Sequence, residues 1–189
     1  MKLLLIVLLN TPILLFAQEK KIEKERRLKQ SEFPSAIVKL LDPYLPQSKK
    51  IRFYEEINEH GKSFEAKVTF EGYRFSIEFS EELVLEDIEM TINSDEVPPS
   101  TLDKIRKELL PFQKSKIGKI QKQFSSDSQS PENQLSNALT NRSGDLIRYE
   151  LIIHGKKEEW KTYEMLFEDD GSLISVREVV TRSADFMLY

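Results

Sequence analysis

SFEAKVTFEGYRFSIEFS, residues 63–80, shows the clearest structural pattern of the chain. Apolar and polar side chains alternate on both sides of Gly72, and successive side chains of a β-strand point to opposite faces of a sheet. The stretch therefore predicts two antiparallel strands with one buried face and one polar face. The positions expected on the polar face are Glu65, Lys67, Thr69, Glu71, Arg74, Ser76 and Glu78.

The same order of elements is found twice in the chain. Residues 33–94 begin with Phe33-Pro34, continue with a short apolar helix and end with four strand-like runs. Residues 95–189 repeat this order from Val97-Pro98 onward, and the spacing after Phe79 matches the spacing after Phe167. We therefore expect an α+β fold of two tandem helix-plus-four-strand antiparallel units. The second unit carries a polar insert, 125–145, which is expected to be a mobile loop because it has no apolar period.

The amino terminus predicts export. Residues 1–17 combine a Lys near the start, a short apolar run and Ala17 before a charged segment, as in a secretory signal peptide. An uncleaved anchor or a buried segment is the alternative. With cleavage after Ala17 the protein is expected to be periplasmic or secreted, without a stable membrane span. Residues 18–32 are almost all charged and predict an arm, either an exposed helix or a mobile segment.

The duplicated pattern resembles the PepSY-like proteins, also called β-lactamase-inhibitor-like, of the Bacteroidetes group. The resemblance spans most of 33–180 and rests on six stretches: Phe33-Pro34, Val97-Pro98, Lys50 to Tyr54, Ser63 to Lys67, Ser76 to Ser80 and Lys116 to Ile120. It implies two fused units that share one curved antiparallel sheet with helices on one face. Its better-understood members are inhibitory or propeptide-like domains. One departure is that the first unit has no Gly in its last turn, where the second has Gly171.

The residues present do not form a recognisable catalytic, cofactor or metal set. The chain has no Cys, and its two histidines, His60 and His154, lie beside predicted turns, where packing cannot orient a catalytic base. The acidic stretch ending at Gly171 does not fit an EF-hand loop, because Leu166 and Arg177 fall where carboxylates are needed. A net charge of −4 without a basic patch argues against nucleic acid. We therefore expect no enzyme activity and no cofactor.

The two units differ on the face that is expected to be polar. Strand parity places Ile152, Trp160 and Leu166 on this face in the second unit, whereas the first unit is polar throughout. Apolar residues on a solvent face suggest a partner surface, unless the insert, the arm or the tail covers them. The sequence thus predicts a secreted, non-catalytic binding module, inhibitor-like, that acts on an unknown envelope or secreted protein through the outer sheet face. The alternative is a structural envelope protein that self-associates as a homodimer.

Overall fold

The structure is a computed structural model that describes residues 19–21, 24–45, 50–58 and 61–180. Within these ranges the chain forms ten strands: β1 (Glu19–Lys21), β2 (Lys24–Leu28), β3 (Arg52–Asn58), β4 (Gly61–Phe70), β5 (Tyr73–Ser80), β6 (Leu85–Ile92), β7 (Lys114–Ser125), β8 (Leu146–Lys156), β9 (Trp160–Glu168) and β10 (Leu173–Val179). They build a single sheet in the order β1-β10-β9-β8-β7-β6-β5-β4-β3-β2. The expected signal peptide lies outside the described residues.

The helices are few and short. They are α1 (Ser35–Leu41), α2 (Pro99–Glu108) and α3 (Pro131–Ser136), with 3-10 turns at Gln30–Glu32 and Ser94–Glu96 and a π-helical turn at Asn137–Asn141. Pro34 and Pro98 precede the first two helices, where the missing proline N–H costs no helical hydrogen bond. The positions of both prolines are those that the sequence predicts for helix starts.

One face of the sheet forms the core with the helices, and we call it the apolar face. Ile77, Phe79 and Leu151 of the strands are completely buried there. They share one apolar cluster with Ile37 of α1 and Ile105 of α2. Complete burial of a large apolar side chain contributes about 1.5–3 kcal/mol to folding, so this face supplies most of the stabilisation.

The predicted fold class is wrong. Strands hold 51% and helices 22% of the structure, and all ten strands belong to one sheet. The sheet is also mixed, because β1 lies parallel to β10. The expected boundary between two tandem helix-plus-four-strand units falls between β6 and β7, and these strands pair directly from Ile88 opposite Phe124 to Ile92 opposite Ile120. Backbone hydrogen bonding across this boundary makes the sheet continuous.

The charged segment 18–32 provides both edges of the sheet. Its first strand, β1, pairs with β10, and its second strand, β2, pairs with β3 at the opposite edge. The sequence suggests a helix or a mobile arm here because charged residues show no apolar period. An edge strand needs little apolar area, and in β2 only Leu28 is buried. Short, charged edges also disfavour pairing with another chain.

The insert 125–145 contains α3 and the π-helical turn, and it packs on the apolar face. Leu135, Ala138 and Leu139 are buried in the common core. Gly144 lies so close to Phe124 of β7 that an added Cβ would be 3.1 Å from the Phe124 Cβ. The expected mobility of this insert stays a prediction, but its position shows which face of the sheet it covers.

The turns that close the two halves of the sheet use one geometry with different residues. The Glu168–Ser172 turn places Gly171 at φ 87°, and the Ser80–Val84 turn places Leu83 at φ 64°. Both turns join antiparallel strands, so the hairpin expected at Asp170-Gly171 is confirmed. An added Cβ at Gly171 would lie 2.7 Å from the Thr101 carbonyl oxygen, whereas Leu83 is exposed. Glycine is therefore required only where α2 approaches the turn.

Candidate functional site

The opposite face of the sheet, which we call the polar face, places carboxylates directly across from one another. Glu65 of β4 pairs with Glu78 of β5, and Glu78 pairs with Asp87 of β6. Glu89 lies two residues after Asp87 on the same face of β6, opposite Ser76. Side chains at directly opposed positions have Cβ atoms about 4.5–5.5 Å apart, so like charges there repel one another.

Some carboxylates of this face are neutralised by neighbouring cations. The Lys67 Nζ lies 2.7 Å from a Glu65 carboxylate oxygen, and the Ser76 hydroxyl donates to the same carboxylate. Glu164 of β9 is 3% exposed and accepts from Lys21 of β1 at 2.6 Å and from Arg177 of β10. These groups form partly buried ion pairs in which the carboxylate is more deeply buried than the cation.

The central carboxylates are not neutralised in this way. Among the described residues, no salt bridge reaches Glu78, Asp87, Glu89 or Glu150. Burial, followed by the repulsion of Glu150, raises the pKa of Asp87 to about 7. Burial and the neighbouring Glu164 raise the pKa of Glu150 to about 6. Keeping all four groups ionised at neutral pH therefore costs free energy.

Burial also raises the pKa of the two remaining central groups well above the usual range of a glutamate. For Glu78 the next cause is the adjacent charge of Asp87, and for Glu89 it is the charge of Glu150. Glu78, Asp87 and Glu89 lie so close that one carboxylate oxygen from each falls within 4.8 Å of the others. We call these three residues the carboxylate trio.

Two glutamines of β7 hold the trio in place but leave oxygen atoms without donors. The Gln123 Nε2 donates to Asp87 Oδ2 at 2.9 Å, and the Gln121 Nε2 donates to Glu89 Oε2. Asp87 Oδ1 and Gln121 Oε1 are both buried and have no hydrogen-bond donor among the described residues. Gln121 is only 4% exposed. Buried acceptors without a donor are costly, so this arrangement favours either a bound proton or a ligand that donates hydrogen bonds or carries positive charge.

The trio and Gln121 line a cleft of about 420 Å³ on the polar face. We call it the acidic cleft. Its rim includes the cations Lys67, Lys119 and Arg177, and Ile152 adds an apolar wall. The residues of the acidic cleft are far apart in the sequence, so this group can be recognised only when the cross-strand register is known.

The structure places all three predicted partner-binding residues on the polar face. Ile152 pairs with Glu164, and Leu166 pairs with Glu150, so the two are diagonal neighbours beside the acidic cleft. Trp160 pairs with Lys156 at the far end of the same two strands. At about 3.3 Å per residue, six residues separate Trp160 from Leu166 by about 20 Å. The three residues therefore form two patches rather than one.

Trp160 is exposed at the end of the polar face. It is 56% exposed and borders a shallow cavity of about 380 Å³ together with His154, Thr162 and Glu178. The sequence predicts a solvated turn residue at His154, whereas this histidine lies within β8 with its Nδ1 3.1 Å from the Thr162 Oγ1. His60 lies outside the described residues.

Two of the segments that were expected to be able to cover Trp160 lie elsewhere. The insert 125–145 packs on the apolar face, next to Phe124. The described part of the arm continues the sheet at its edges as β1 and β2. The tail, residues 181–189, lies outside the described residues.

Comparisons with known proteins yield one distant structural neighbour. No protein-family model and no curated protein matches the chain. Among solved structures, the chain is similar to a BLIP-like protein from Bacteroides fragilis, with 14% sequence identity and a TM-score of 0.48. The structural alignment covers 80% of this chain and 89% of the other one. At this identity and TM-score, the likeness assigns neither a family nor a function. Membership of the PepSY-like family stays a prediction. No helix among the described residues is long and apolar enough to cross a membrane.

Proposed function

We propose that the chain is an exported, non-catalytic module that binds a partner protein through the polar face of its sheet. The observation that carries this proposal is the 56% exposure of Trp160 on that face. All three helices contribute buried side chains to the core on the other side. Tryptophan is the residue most enriched at binding hot spots, and exposing its ring to water has a cost that a partner would relieve.

The chemistry of the surroundings suits a protein interface. Trp160 is flanked by polar groups that can form a rim, including His154, Thr162 and Lys161. A buried apolar anchor within a polar rim is the usual organisation of an interface. The apolar pair Ile152 and Leu166 extends the same face toward the acidic cleft. A partner that spans both patches would bury roughly 800 Å² of this chain, the size of a standard interface.

Replacement of Trp160 by Ala tests this function. The exposed ring contributes little to folding, so the melting temperature of Trp160→Ala should stay within about 2 °C of the wild type. Cross-linking of the purified chain to an envelope extract, quantified by mass spectrometry, should show at least a tenfold loss of the captured partner. Leu110→Ala is the matched control, since Leu110 is an exposed apolar residue that lies two residues beyond the end of α2. Its capture should equal that of the wild type.

Light scattering on the same proteins separates this function from self-association. A monomeric wild type that loses its captured partner on Trp160→Ala supports a heterologous partner. A dimer that becomes a monomer on Trp160→Ala supports the structural envelope alternative. Equal capture by wild type and Trp160→Ala, with no change in oligomeric state, contradicts binding through this end of the face.

A further inference from the structure

The carboxylate trio has the geometry of a cation site. Its three ligand oxygens lie within 4.8 Å of one another. Calcium binds oxygen at 2.3–2.6 Å, so two ligands on opposite sides of the ion are about 4.8 Å apart. Magnesium binds at 2.0–2.1 Å, which needs ligands within about 4.2 Å. Separations of up to 4.8 Å accommodate calcium, and we favour calcium over magnesium because magnesium gives up its bound water reluctantly and is seldom held by protein ligands alone.

An independent observation beside the trio also indicates a cation. Gln121 is 4% exposed, lines the same cleft, and its Oε1 lacks a donor among the described residues. Its Nε2 already contacts Glu89, so the amide lies at the edge of the trio. Asp87 Oδ1 is a second buried oxygen without a donor. Neutral amide oxygens and carboxylates together are the ligands that calcium prefers in proteins.

We propose that the carboxylate trio binds a calcium ion in the acidic cleft. The Gln121 amide oxygen provides a neutral ligand, and Gln123 orients Asp87 through its hydrogen bond. The cleft of about 420 Å³ has room for the water molecules that complete a coordination number of six to eight. The bound ion bridges β5 and β6, and it removes the repulsion between directly opposed carboxylates.

Two of the rim cations named above are already paired with other carboxylates, and Lys119 acts on Glu89 only through its charge, without a salt bridge among the described residues. Lys67 is engaged by Glu65 and Glu25, and Arg177 is engaged by Glu164. Lysine and arginine side chains could have been placed opposite Glu78 or Asp87, but those cross-strand positions carry other carboxylates. The negative charge of the polar face is therefore concentrated at the trio. No lysine or arginine lies directly opposite Glu78 or Asp87 to neutralise it, whereas a small divalent ion fits there.

Calorimetric titration of the purified chain tests the proposal. The chain is freed of metal with EDTA, dialysed to pH 7.5 and titrated separately with CaCl₂ and MgCl₂. We expect one calcium per chain with a dissociation constant of about 10⁻⁵–10⁻³ M. Magnesium should bind at least tenfold more weakly. The melting temperature should rise saturably with CaCl₂, because a ligand of the folded state stabilises that state.

Three variants locate the ion. Asp87→Asn should weaken calcium binding at least tenfold, and Gln121→Leu should weaken it severalfold. Glu108→Gln is the matched control, since it removes an exposed carboxylate from α2, which packs on the opposite face of the sheet. Its calcium affinity should stay within twofold of the wild type. The circular dichroism spectrum of each variant reports whether it is folded.

The results that would overturn the proposal are distinct. They are the absence of saturable calcium binding up to 10 mM, equal affinities for calcium and magnesium, or an affinity that Asp87→Asn leaves unchanged. A protein that is stabilised by acidification but not by CaCl₂ would show that the trio shares protons instead of a metal ion. None of these results depends on Trp160, so the calcium site and the proposed partner surface are tested independently.

Discussion

On the apolar face of β5, Ile77 and Phe79 are completely buried among other apolar side chains, whereas on the polar face Glu78 lies directly between Glu65 and Asp87. These residues are neighbours in one strand, and successive side chains of a strand point to opposite faces of the sheet. One face is arranged for stability. The other face concentrates groups that repel one another, a pattern that is expected where a protein keeps a binding site at the expense of stability.

The polar face itself contains the same contrast on a smaller scale. Glu164 is almost fully buried, but Lys21 of β1 and Arg177 of β10 neutralise it. Glu78 and Asp87 have no such partners among the described residues. Carboxylates on one face of the sheet therefore stabilise the fold where a cation on another strand neutralises them, and destabilise it where none does.

The largest expected effect comes from the apolar face. Phe79→Ala should lower the free energy of unfolding by about 3–5 kcal/mol, because it removes a completely buried ring and leaves a cavity. Urea denaturation monitored by circular dichroism measures this change. A loss below about 1 kcal/mol would mean that Phe79 is not part of a packed core, and the contrast between the two faces would fail.

A smaller loss is expected when the neutralised carboxylate is removed. Glu164→Gln should cost about 2–3 kcal/mol at pH 7.5, since it leaves Lys21 and Arg177 partly buried without their counter-ion. The same denaturation experiment measures it. The exposed pair Lys104 and Asp170 provides the control, and Asp170→Asn should cost much less, because solvent screens an exposed ion pair. Equal losses for both variants would show that burial of the Glu164 pair has no energetic consequence.

The alternation within single strands was predictable from the sequence, because it depends only on the neighbours of each residue. Glu65, Lys67, Ser76 and Glu78 all lie on the polar face as the period of two predicts. The prolines before α1 and α2 and the hairpin at Gly171 were predictable for the same reason. Each of these features is specified by fewer than ten consecutive residues.

The edges of the sheet and its continuity were not predictable in this way. Strand β2 is stabilised by its hydrogen bonds to β3, and its own sequence, Lys24 to Leu28, lacks an apolar period. The join between β6 and β7 also depends on partners that are distant in sequence. The expectation of two tandem units therefore followed from a real repetition of elements, but it missed the long-range pairing that makes one mixed sheet.

The carboxylate trio was missed because acidic residues were compared along the chain. Adjacent residues of a strand, such as Glu55 and Glu56 of β3, point to opposite faces of the sheet, whereas residues across two strands lie side by side on one face. Counting back from the turn between β5 and β6 pairs Phe79 with Leu85 and would pair Glu78 with Glu86. A β-bulge at this point shifts the register by one residue, so that Glu78 lies opposite Asp87. The contribution of Gln121 from β7 needed the pairing of strands that are separated by α2.

Among the described residues, no salt bridge compensates the charges of the trio in the folded chain. When the pKa of an acid is higher in the folded than in the unfolded state, the folded state binds more protons, and stability falls as pH rises. The pKa of Asp87 is raised to about 7, and unfolded acidic side chains titrate near 4. Between these values, therefore, the metal-free wild type should lose stability with rising pH, and its melting temperature at pH 8 should be about 5 °C lower than at pH 5.5.

The most direct test is the free energy of unfolding of the double variant Glu78→Gln/Asp87→Asn in EDTA at pH 8. Replacing two buried, mutually repelling carboxylates by amides of the same shape should raise the stability by about 1–2 kcal/mol and reduce the difference between pH 5.5 and pH 8. A double variant that is less stable than the wild type at pH 8, with an unchanged dependence on pH, would contradict the account, since it would show that these carboxylates stabilise the sheet.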